Sequence, residues 1–495
     1  MKYIKAILVL CFCFVNSLLS VAQTETLKLS LSDVIAIAQS DAPDVLLAKT
    51  RLTTDYWSYQ SFLADFKPQI DLGMTPIDVQ RTISPFLTPE GSRVFLPQAA
   101  VNSSFDISLS QDIAKTGGSI FAGMGLSYFY NFKNDTSPSI TNFYATPIFV
   151  GFNQPLFGFN EMKWNKKMEP LQYEQATKEY AEQMEQVATQ TTELFFDVFN
   201  TQINLRTSQM DKSNADTLYE ISKGRFSVGR IAETDLLQIE LSVRNAEASL
   251  AEALLGQQRA TEQLRNFLGI KEAVQFELTP PDQLPDMFVD SNVALNEARK
   301  NRSQSIELQR RLMQADMNLE RAEKNAGINA NVRGLVGLNN SADQFSDVYR
   351  NILDREEVAL QLSVPLADWG KAKALRKIAA SNKEFITADV EQTRINFERE
   401  VLLHVQQFDM VKDQVNLAYR AYEISQRREE ITRKRYMIGK IEVIDLNLAI
   451  REKDEGLRSY MTALRNYWTS YYRLRSLTLY DFENNRSLVK KVDLD

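Results

Sequence analysis

The chain has 495 residues, which at roughly 150 residues per domain allows about three domains. It carries 57 Lys+Arg against 64 Asp+Glu, for a net charge of −7, and this balance excludes a generally basic nucleic-acid-binding protein. Hydrophobic residues make up 44% and charged residues 24%, so the composition indicates neither a disordered chain nor a polytopic helical membrane protein.

The N-terminus has the layout of a secretory signal peptide. Two lysines in the first five residues precede the mostly apolar run Ala6–Leu19, and small residues close the segment at Ala22. We predict cleavage after Ala22, since the apolar run is short for the alternative, a transmembrane anchor. Cleavage also removes Cys11 and Cys13, the only cysteines. No later stretch reaches the ~18 apolar residues of a spanning helix, so a mature chain that crosses a membrane must do so as a β-barrel.

The remaining chain contains an internal repeat. The turn-like segment Arg225–Ile231 recurs as Arg435–Ile441, and Pro155-Leu156 recurs as Pro365-Leu366 at the same spacing. Repeated segments at a fixed spacing indicate a duplicated structural unit. We predict one structural repeat at residues 23–270 and another at 293–480, with a linker at 271–292 and a tail at 481–495.

Each repeat is predicted to run helix, strands, long helix, sharp turn, helix. Apolar and polar residues alternate over Ser104–Ile113, Ile328–Leu338 and Glu357–Val364, which indicates strands with one apolar and one polar face. Such strands fit a lipid-facing, water-filled barrel and equally a soluble sandwich. The first repeat offers four strand candidates and the second offers two, and Gly117-Gly118 is a candidate hairpin turn.

The helices favour an elongated oligomer. About 63 residues from Asn160 to Ser222 carry a narrow apolar stripe, which predicts a helix roughly 95 Å long. Its counterpart spans about Asp368–Lys434. Shorter helices are predicted at Leu31–Asp65, Glu233–Phe267, Val293–Asn325 and Glu442–Ser476. Two of them placed end to end are about as long as one long helix. Helices this long without a compact core require partners.

In their order, these segments resemble the TolC family of outer-membrane efflux and secretion channels. The resemblance covers nearly all of the mature chain and rests on the ordered duplication together with short stretches: Leu29–Leu31 through Asp44, Phe66–Gln69, Gln154–Phe157, Leu268-Gly269 and the two Arg-aromatic-x-x-Gly turns.

The resemblance implies a mostly α-helical homotrimer with a transmembrane β-barrel in the outer membrane of a Gram-negative bacterium. Each protomer would contribute four strands to a shared 12-stranded barrel in contact with lipid, above a coiled-coil periplasmic tunnel. Such a protein is the passive, gated exit duct of a tripartite efflux or type I secretion system. A periplasmic adaptor (membrane fusion) protein recruits it to an inner-membrane RND or ABC pump.

Some points stay open. The other class of function considered is a non-conducting coiled-coil scaffold of the envelope, which would not need a lipid-facing strand surface. The substrate, and the choice between drug efflux and protein secretion, are not indicated. About 50 extra residues in the first repeat form either an elaborated hairpin and loop, the interpretation we favour, or additional barrel strands.

The helix-to-helix turns are the predicted adaptor-contact tips. Glycine suits the left-handed residue that ends a helix, and Gly229 and Gly439 stand where each long helix reverses. By resemblance, Arg225, Phe226 and Arg435 beside them contact the adaptor.

A pore gate is predicted just beyond these tips. Asp235 and Asp445 are either capping residues in the first turn of the returning helix or members of an inward-facing ring. In a threefold pore one aspartate per chain becomes three carboxylates, which favour cations.

The family's gate is only partly matched. A second aspartate of the ring falls on Leu448, with Asn447 adjacent. The family's latch pairs a Thr-Asp dipeptide with a tyrosine and an arginine. Thr234, Asp235 and Tyr436 match, whereas Ile441 replaces the arginine.

Pro155 and Pro365 are predicted to mark the barrel-to-helix transition, because proline ends a strand ladder. Trp164 and Trp369 follow them, either at the membrane interface or buried between helices. The lone His404 is read as structural or solvated. No phosphate loop, nucleophile elbow or metal-ligand cluster appears, so we predict no enzyme activity, no cofactor and no metal.

Overall fold

A computed structural model describes residues 26–87, 91–132, 139–272, 274–281, 284–285, 287–438, 440–441 and 443–489. The predicted signal peptide lies outside them. The elements are, in chain order, β1 (Thr26–Ser30), α1 (Leu31–Asp41), α2 (Pro43–Ala64), β2 (Gln69–Leu87), β3 (Arg93–Ile113), β4 (Gly118–Asn131), β5 (Ile140–Pro155), α3 (Glu161–Ser227), α4 (Glu233–Leu268), β6 (Gln275–Thr279), α5 (Ser291–Asn301), α6 (Ser303–Asn325), β7 (Asn329–Ala342), β8 (Leu353–Ser363), α7 (Lys371–Met437), α8 (Val443–Thr478), β9 (Tyr480–Asp481) and β10 (Arg486–Ser487).

Two very long helices set the length of the molecule. α3 and α7 each have 67 residues, or about 100 Å at 1.5 Å per residue. α3 packs against α1 and α2 toward the sheet and against α4 toward the tip, and α7 packs in the same way against α5, α6 and α8. α3 also contacts α6 and α8, which joins the two halves.

The shorter upper helices are broken where the sequence suggested continuous ones. Ala42 separates α1 from α2 with φ −61 and ψ 139, and Pro43 opens α2. A residue before proline is driven out of the helical region, so this break has a local cause. Arg302 makes the matching break between α5 and α6 with φ −70 and ψ 141, although no proline follows it.

The main sheet has the strand order β2-β3-β4-β5-β7-β8, with every neighbouring pair antiparallel. β3 and β4 are joined at the helical end of the sheet by a turn in which Gly117 has φ +75, as the glycine pair predicts. Asn160 binds this turn to the start of α3, since its side chain donates to the Ala114 carbonyl at 3.0 Å and accepts from the Lys163 amide.

The expectation of four strands per chain needs correction. The sheet of one chain has six strands, because the extra residues of the first half form two full-length strands within it. These residues form the hairpin of β3 and β4, as favoured from the sequence, and in the single chain this hairpin lies within the sheet. Strand candidates near 104–113 and 119–130 are β3 and β4, two neighbouring strands of the continuous sheet.

One face of the sheet is apolar across all six strands. A row of paired residues runs Leu72, Ile107 and Met124 from β2 to β4, and another runs Ile120, Phe152, Gly334 and Val358 from β4 to β8. The opposite face is mostly polar and includes Asp71, Ser108, Ser127, Asn153, Asn331 and Gln361. Tyr128, Tyr130 and Phe143 are the aromatic residues of the apolar face toward the far end of β4 and β5.

The hydrophobic core lies around the middle of the long helices. Phe195 and Phe196 of α3, Phe408 of α7 and Tyr467 of α8 are all completely buried there. The parallel pair β1 and β6 contributes Phe276 and Leu278 to the same cluster. Among the helices that the structure describes, none is both long enough and apolar enough to cross a membrane.

Candidate pore gate and partner-binding tips

The first tip is the turn between α3 and α4, and it is fully exposed. Arg225, Phe226 and Gly229 lie on its surface, and the Phe226 side chain is 40% exposed. Gly229 has φ +68, and the Arg230 amide donates to the Arg225 carbonyl at 2.9 Å. This hydrogen bond satisfies a carbonyl of the last helical turn, as in other left-handed helix ends.

The second tip, between α7 and α8, repeats this geometry. The Lys440 amide donates to the Arg435 carbonyl at 3.0 Å, five residues back as at the first tip. Arg435 is exposed, whereas the neighbouring Tyr436 is buried. Gly439 lies outside the described residues, so its predicted backbone conformation stays a prediction.

Asp235 caps the helix that returns from the first tip. Its carboxylate accepts from the Ala232 amide at 3.3 Å in the first turn of α4, which is the capping role considered from the sequence. Thr234 and Asp235 are both exposed in the single chain. This capping hydrogen bond does not exclude the predicted role of Asp235 in the gate, which stays a prediction.

Asp445 lies in the first turn of α8 and is exposed together with Asn447. Leu448, at the position of the family's second aspartate, is 41% exposed. Leu446 and Ala449 are buried, so they fix one face of α8 against its own chain. Asp445 and Asn447 are thus on the surface that a neighbouring copy or a pore could use.

The predicted latch is not formed within one chain. Tyr436 is 7% exposed, and its hydroxyl has no hydrogen-bond partner among the described residues. It is therefore not bonded to Thr234 or Asp235. A buried hydroxyl without a partner costs on the order of 1–3 kcal/mol, and because this hydroxyl is buried it is not presented to a neighbouring copy in the single chain.

A charged cluster that sequence reasoning missed joins the two helical hairpins above the tips. Arg433 of α7 donates to Asn214 of α3 at 3.4 Å and pairs with Glu429 at 2.7 Å. Asp211 of α3 lies close enough to Lys453 and Asp454 of α8 for their charges to act on its carboxyl. We call this set, completed by Arg458, the interhairpin cluster; its members are Asp211, Asn214, Glu429, Arg433, Lys453, Asp454 and Arg458.

The interhairpin cluster shifts the ionisation of Asp211. Burial, followed by the repulsion of Asp454, raises the pKa of the Asp211 carboxyl, although Lys453, Arg433 and Arg458 act in the opposite direction. The two aspartates come from different hairpins, so the charge of Asp211 bears on how closely the hairpins pack. No sequence motif identifies this set, because its members are spread over three helices.

A second buried charge pair holds the upper part of the two halves together. Arg475 of α8 donates to both oxygens of Glu185 on α3, at 2.9 and 3.1 Å. Glu185 is only 4% exposed, and this burial raises the pKa of its carboxyl while Arg475 opposes the shift. The pair is a structural clamp across the two halves rather than part of the tips.

The transition residues lie between sheet and helices. Pro155 is the last residue of β5, and Pro365 follows the end of β8. Trp369 is 98% exposed, which suits the membrane-interface interpretation, whereas Trp164 is half-buried and donates to Glu320 at 2.8 Å.

His404 lies within α7, and burial lowers the pKa of its ring. The described residues contain no group of three or more metal-binding side chains.

Comparison with solved structures identifies the fold. The fold is similar to the Campylobacter jejuni CmeC outer membrane channel, with a TM-score of 0.65 and 15% identity, over 90% of this chain and 85% of that one. It is also similar to the outer membrane protein VceC of Vibrio cholerae, with a TM-score of 0.58 and 14% identity, over 90% and 95% of the two chains. The fold is therefore that of TolC-like outer-membrane channels.

The chain belongs to the outer membrane efflux protein family, whose profile matches residues 125–270 and 294–478. The resemblance to TolC-like channels is thereby confirmed, and this family is one of transport channels rather than enzymes. A curated relative, "Toxin and drug export protein A" of Aggregatibacter actinomycetemcomitans, is 25% identical over 247 residues. That match covers 48% of this chain and 51% of the relative, or about half of its length.

Proposed function

We propose that the protein is the outer-membrane exit duct of a tripartite efflux or type I secretion system. Three copies would place their sheets in the outer membrane and their helical hairpins in the periplasm. The duct is passive, and its substrates come from an inner-membrane RND or ABC pump through a periplasmic adaptor.

The observation that carries this proposal is the combination of one apolar sheet face with two helices, α3 and α7, that are each about 100 Å long. On that face Leu360, Leu72 and Met74 are each at least 60% exposed in the single chain. A lipid-facing wall has an apolar outer surface of this kind. A periplasmic scaffold would leave the same surface in water, so the face supports the duct over the scaffold.

The tips supply the proposed gate and docking surface. Arg225, Phe226 and Arg435 are exposed at the end farthest from the sheet, where an adaptor can reach them. Asp445 and Asn447 are exposed on α8, and threefold symmetry would turn each into a ring. Asp235 and Thr234, which are exposed, and Tyr436, whose hydroxyl is buried in the single chain, are the remaining proposed residues of the closed state.

Imaging with mass determination of the protein extracted from outer membranes in mild detergent tests the proposal. We expect a trimer with a tapered tunnel about 100 Å long beyond the micelle. A monomer, or a particle recovered from the soluble periplasm, would contradict the duct and favour the scaffold.

A further inference from the structure

We propose that the assembled channel has a wall of eighteen strands, in which β8 of each copy pairs with β2 of the next. This inference rests on the proposed trimer but goes beyond it. It assigns the partner of both sheet edges, a second copy of this chain, and makes the membrane section wider than a 12-stranded one.

The first step is that β3 and β4 have the same two faces as the rest of the wall. Ile107 on β3 lies between Leu72 and Met124 in one apolar row, while the adjacent Ser108 lies beside Asp71 on the polar face. A hairpin folded over the mouth of a pore would be wetted on both faces and would need no continuous apolar row. The alternation therefore places the hairpin in contact with lipid.

The second step is that the hairpin is fixed to the strands that follow it. Strand β4 pairs with β5 from Ser119 to Asn131. The Phe121 ring of β4 lies directly over Gly151 of β5, where an added Cβ would be 2.6 Å from the ring. Gly151 thus provides the space for a side chain of the neighbouring strand, and this contact holds the register between the two strands.

The third step concerns the edges. Among the described residues, β2 and β8 each have a strand on one side only. Six antiparallel strands leave these edges running in opposite directions, so β8 of one copy meets β2 of the next as an antiparallel pair. Both edges are exposed and apolar on the same face, with Ile70 at 71% and Val358 at 86% exposure. Long apolar edges of this kind invite strand pairing.

The two edges differ in length, with 19 residues in β2 and 11 in β8, but both can be aligned from the helical end of the sheet. β8 has 11 residues, close to the ~9–11 that a tilted membrane strand needs, and β2 is long enough to cover it. On this face of β8, Leu362, Leu360 and Val358 are followed toward the outer end by Glu356 and Asp354. Three such sheets close a barrel about 1.5 times as wide as one of 12 strands, since diameter grows roughly linearly with strand number.

Cysteine labelling of β3 in outer membranes tests membership of the wall, because β3 would lie outside a four-stranded wall from which the β3–β4 hairpin is left out. The mature chain has no cysteine once the predicted signal peptide is removed. We expect Ile107→Cys to resist a membrane-impermeant maleimide until the membrane is dissolved, and Ser108→Cys to react at once. Leu360→Cys and Gln361→Cys on β8 are the matched controls for the two faces. Equal reaction of Ile107→Cys and Ser108→Cys, with Leu360→Cys protected, would overturn the proposal.

Disulfide formation tests the closure of the wall. Gln361→Cys on β8 is combined in turn with Asp71→Cys, Gly73→Cys and Thr75→Cys on β2, which share its polar face. We expect oxidation of one combination to yield covalent dimers and trimers. The pair Ser104→Cys with Ser127→Cys, opposite each other within one chain, should cross-link without a change in mass. Native trimers with no covalent oligomer in any register would overturn the closure while leaving the duct intact, whereas a monomer would count against both.

Discussion

At the scale of single residues, the most costly group to disturb is the buried ion pair between α3 and α8. Glu185 and Arg475 are bonded through two hydrogen bonds and are shielded by Tyr471 and Tyr472, whose rings lie 5.7 and 5.4 Å from the guanidinium. Removing one partner would leave a charge in an apolar site, which is worse than removing both.

Arg475→Met should therefore destabilise the protein by about 3–5 kcal/mol, because Glu185 is left buried without its counterion. The double variant Glu185→Leu with Arg475→Met should recover most of that loss. Thermal unfolding of both variants measures the difference. Equal destabilisation by the single and the double variant would show that packing, and not the uncompensated charge, is responsible.

The interhairpin cluster predicts a dependence of stability on pH. Because the folded-state pKa of Asp211 is raised above its usual value of 3.8, the folded protein holds this proton more tightly than the unfolded chain does. The resulting stabilisation is full below 3.8 and is lost as the pH rises through the folded-state pKa.

Asp211→Asn keeps the side chain neutral at every pH and should remove this loss. We expect the variant to melt at or above the wild-type temperature at pH 7, with the difference vanishing as the pH falls below 4. Asp216→Asn on the same helix breaks an ion pair with Lys212 at 2.6 Å and should change the melting temperature slightly, in the opposite direction. A wild-type advantage over Asp211→Asn at pH 7 would contradict the assignment.

At the scale of elements, some helix ends can be predicted from the local sequence and others cannot. Pro43 is a visible cause for the break between α1 and α2. The break at Arg302 depends instead on tertiary contacts: the Ser303 amide donates to Glu182 at 2.7 Å, and Arg302 donates to the Ser476 carbonyl at 2.9 Å. Partners that distant in the chain cannot be read from the local sequence.

Two glycines at the first tip differ in backbone conformation, so replacing each by alanine should change stability in opposite directions. Gly229 has φ +68, so Gly229→Ala forces a side chain into the left-handed region at about 1–2 kcal/mol. Gly224 lies within α3 with open space around its Cβ position, so Gly224→Ala should stabilise the helix by roughly 0.5–1 kcal/mol. Hydrogen exchange of the tip amides measures both, and changes of the same sign would refute the helix-end geometry.

At the scale of the whole molecule, the sequence was informative about the order of elements and the long helices because these follow from periodicity and duplication. The residues indicated four strand candidates in the first repeat and two in the second, and the sheet of one chain has these six strands. The expectation of four strands per chain came from the resemblance, which carries no information on strands added in this chain. The tips were predictable from the repeated Arg-aromatic-x-x-Gly motif. The burial of Tyr436 could not be predicted, since it depends on packing between hairpins, and the latch itself stays a prediction.

In the proposed pore, the Asp445 carboxylates of the three copies would lie together in one ring. Asp445→Ala would remove three carboxylates from one ring and should lower the preference for cations over anions in planar bilayers. Asp235→Ala removes a helix cap and should reduce stability by about 0.5–2 kcal/mol with a smaller change in selectivity. Unchanged reversal potentials for Asp445→Ala under a salt gradient would place the constriction elsewhere.

The pairing of β5 with β7 has a consequence for how the protein is made. β2 to β5 follow one another along the chain, but Pro155 pairs with Asn331 and Phe143 with Ala342, across the whole of α3 and α4. Closing so long a loop is entropically slow. Until β7 joins the sheet, β5 is a second unpaired apolar edge in addition to β2. The exported chain should therefore depend on a holding chaperone until all six strands have paired.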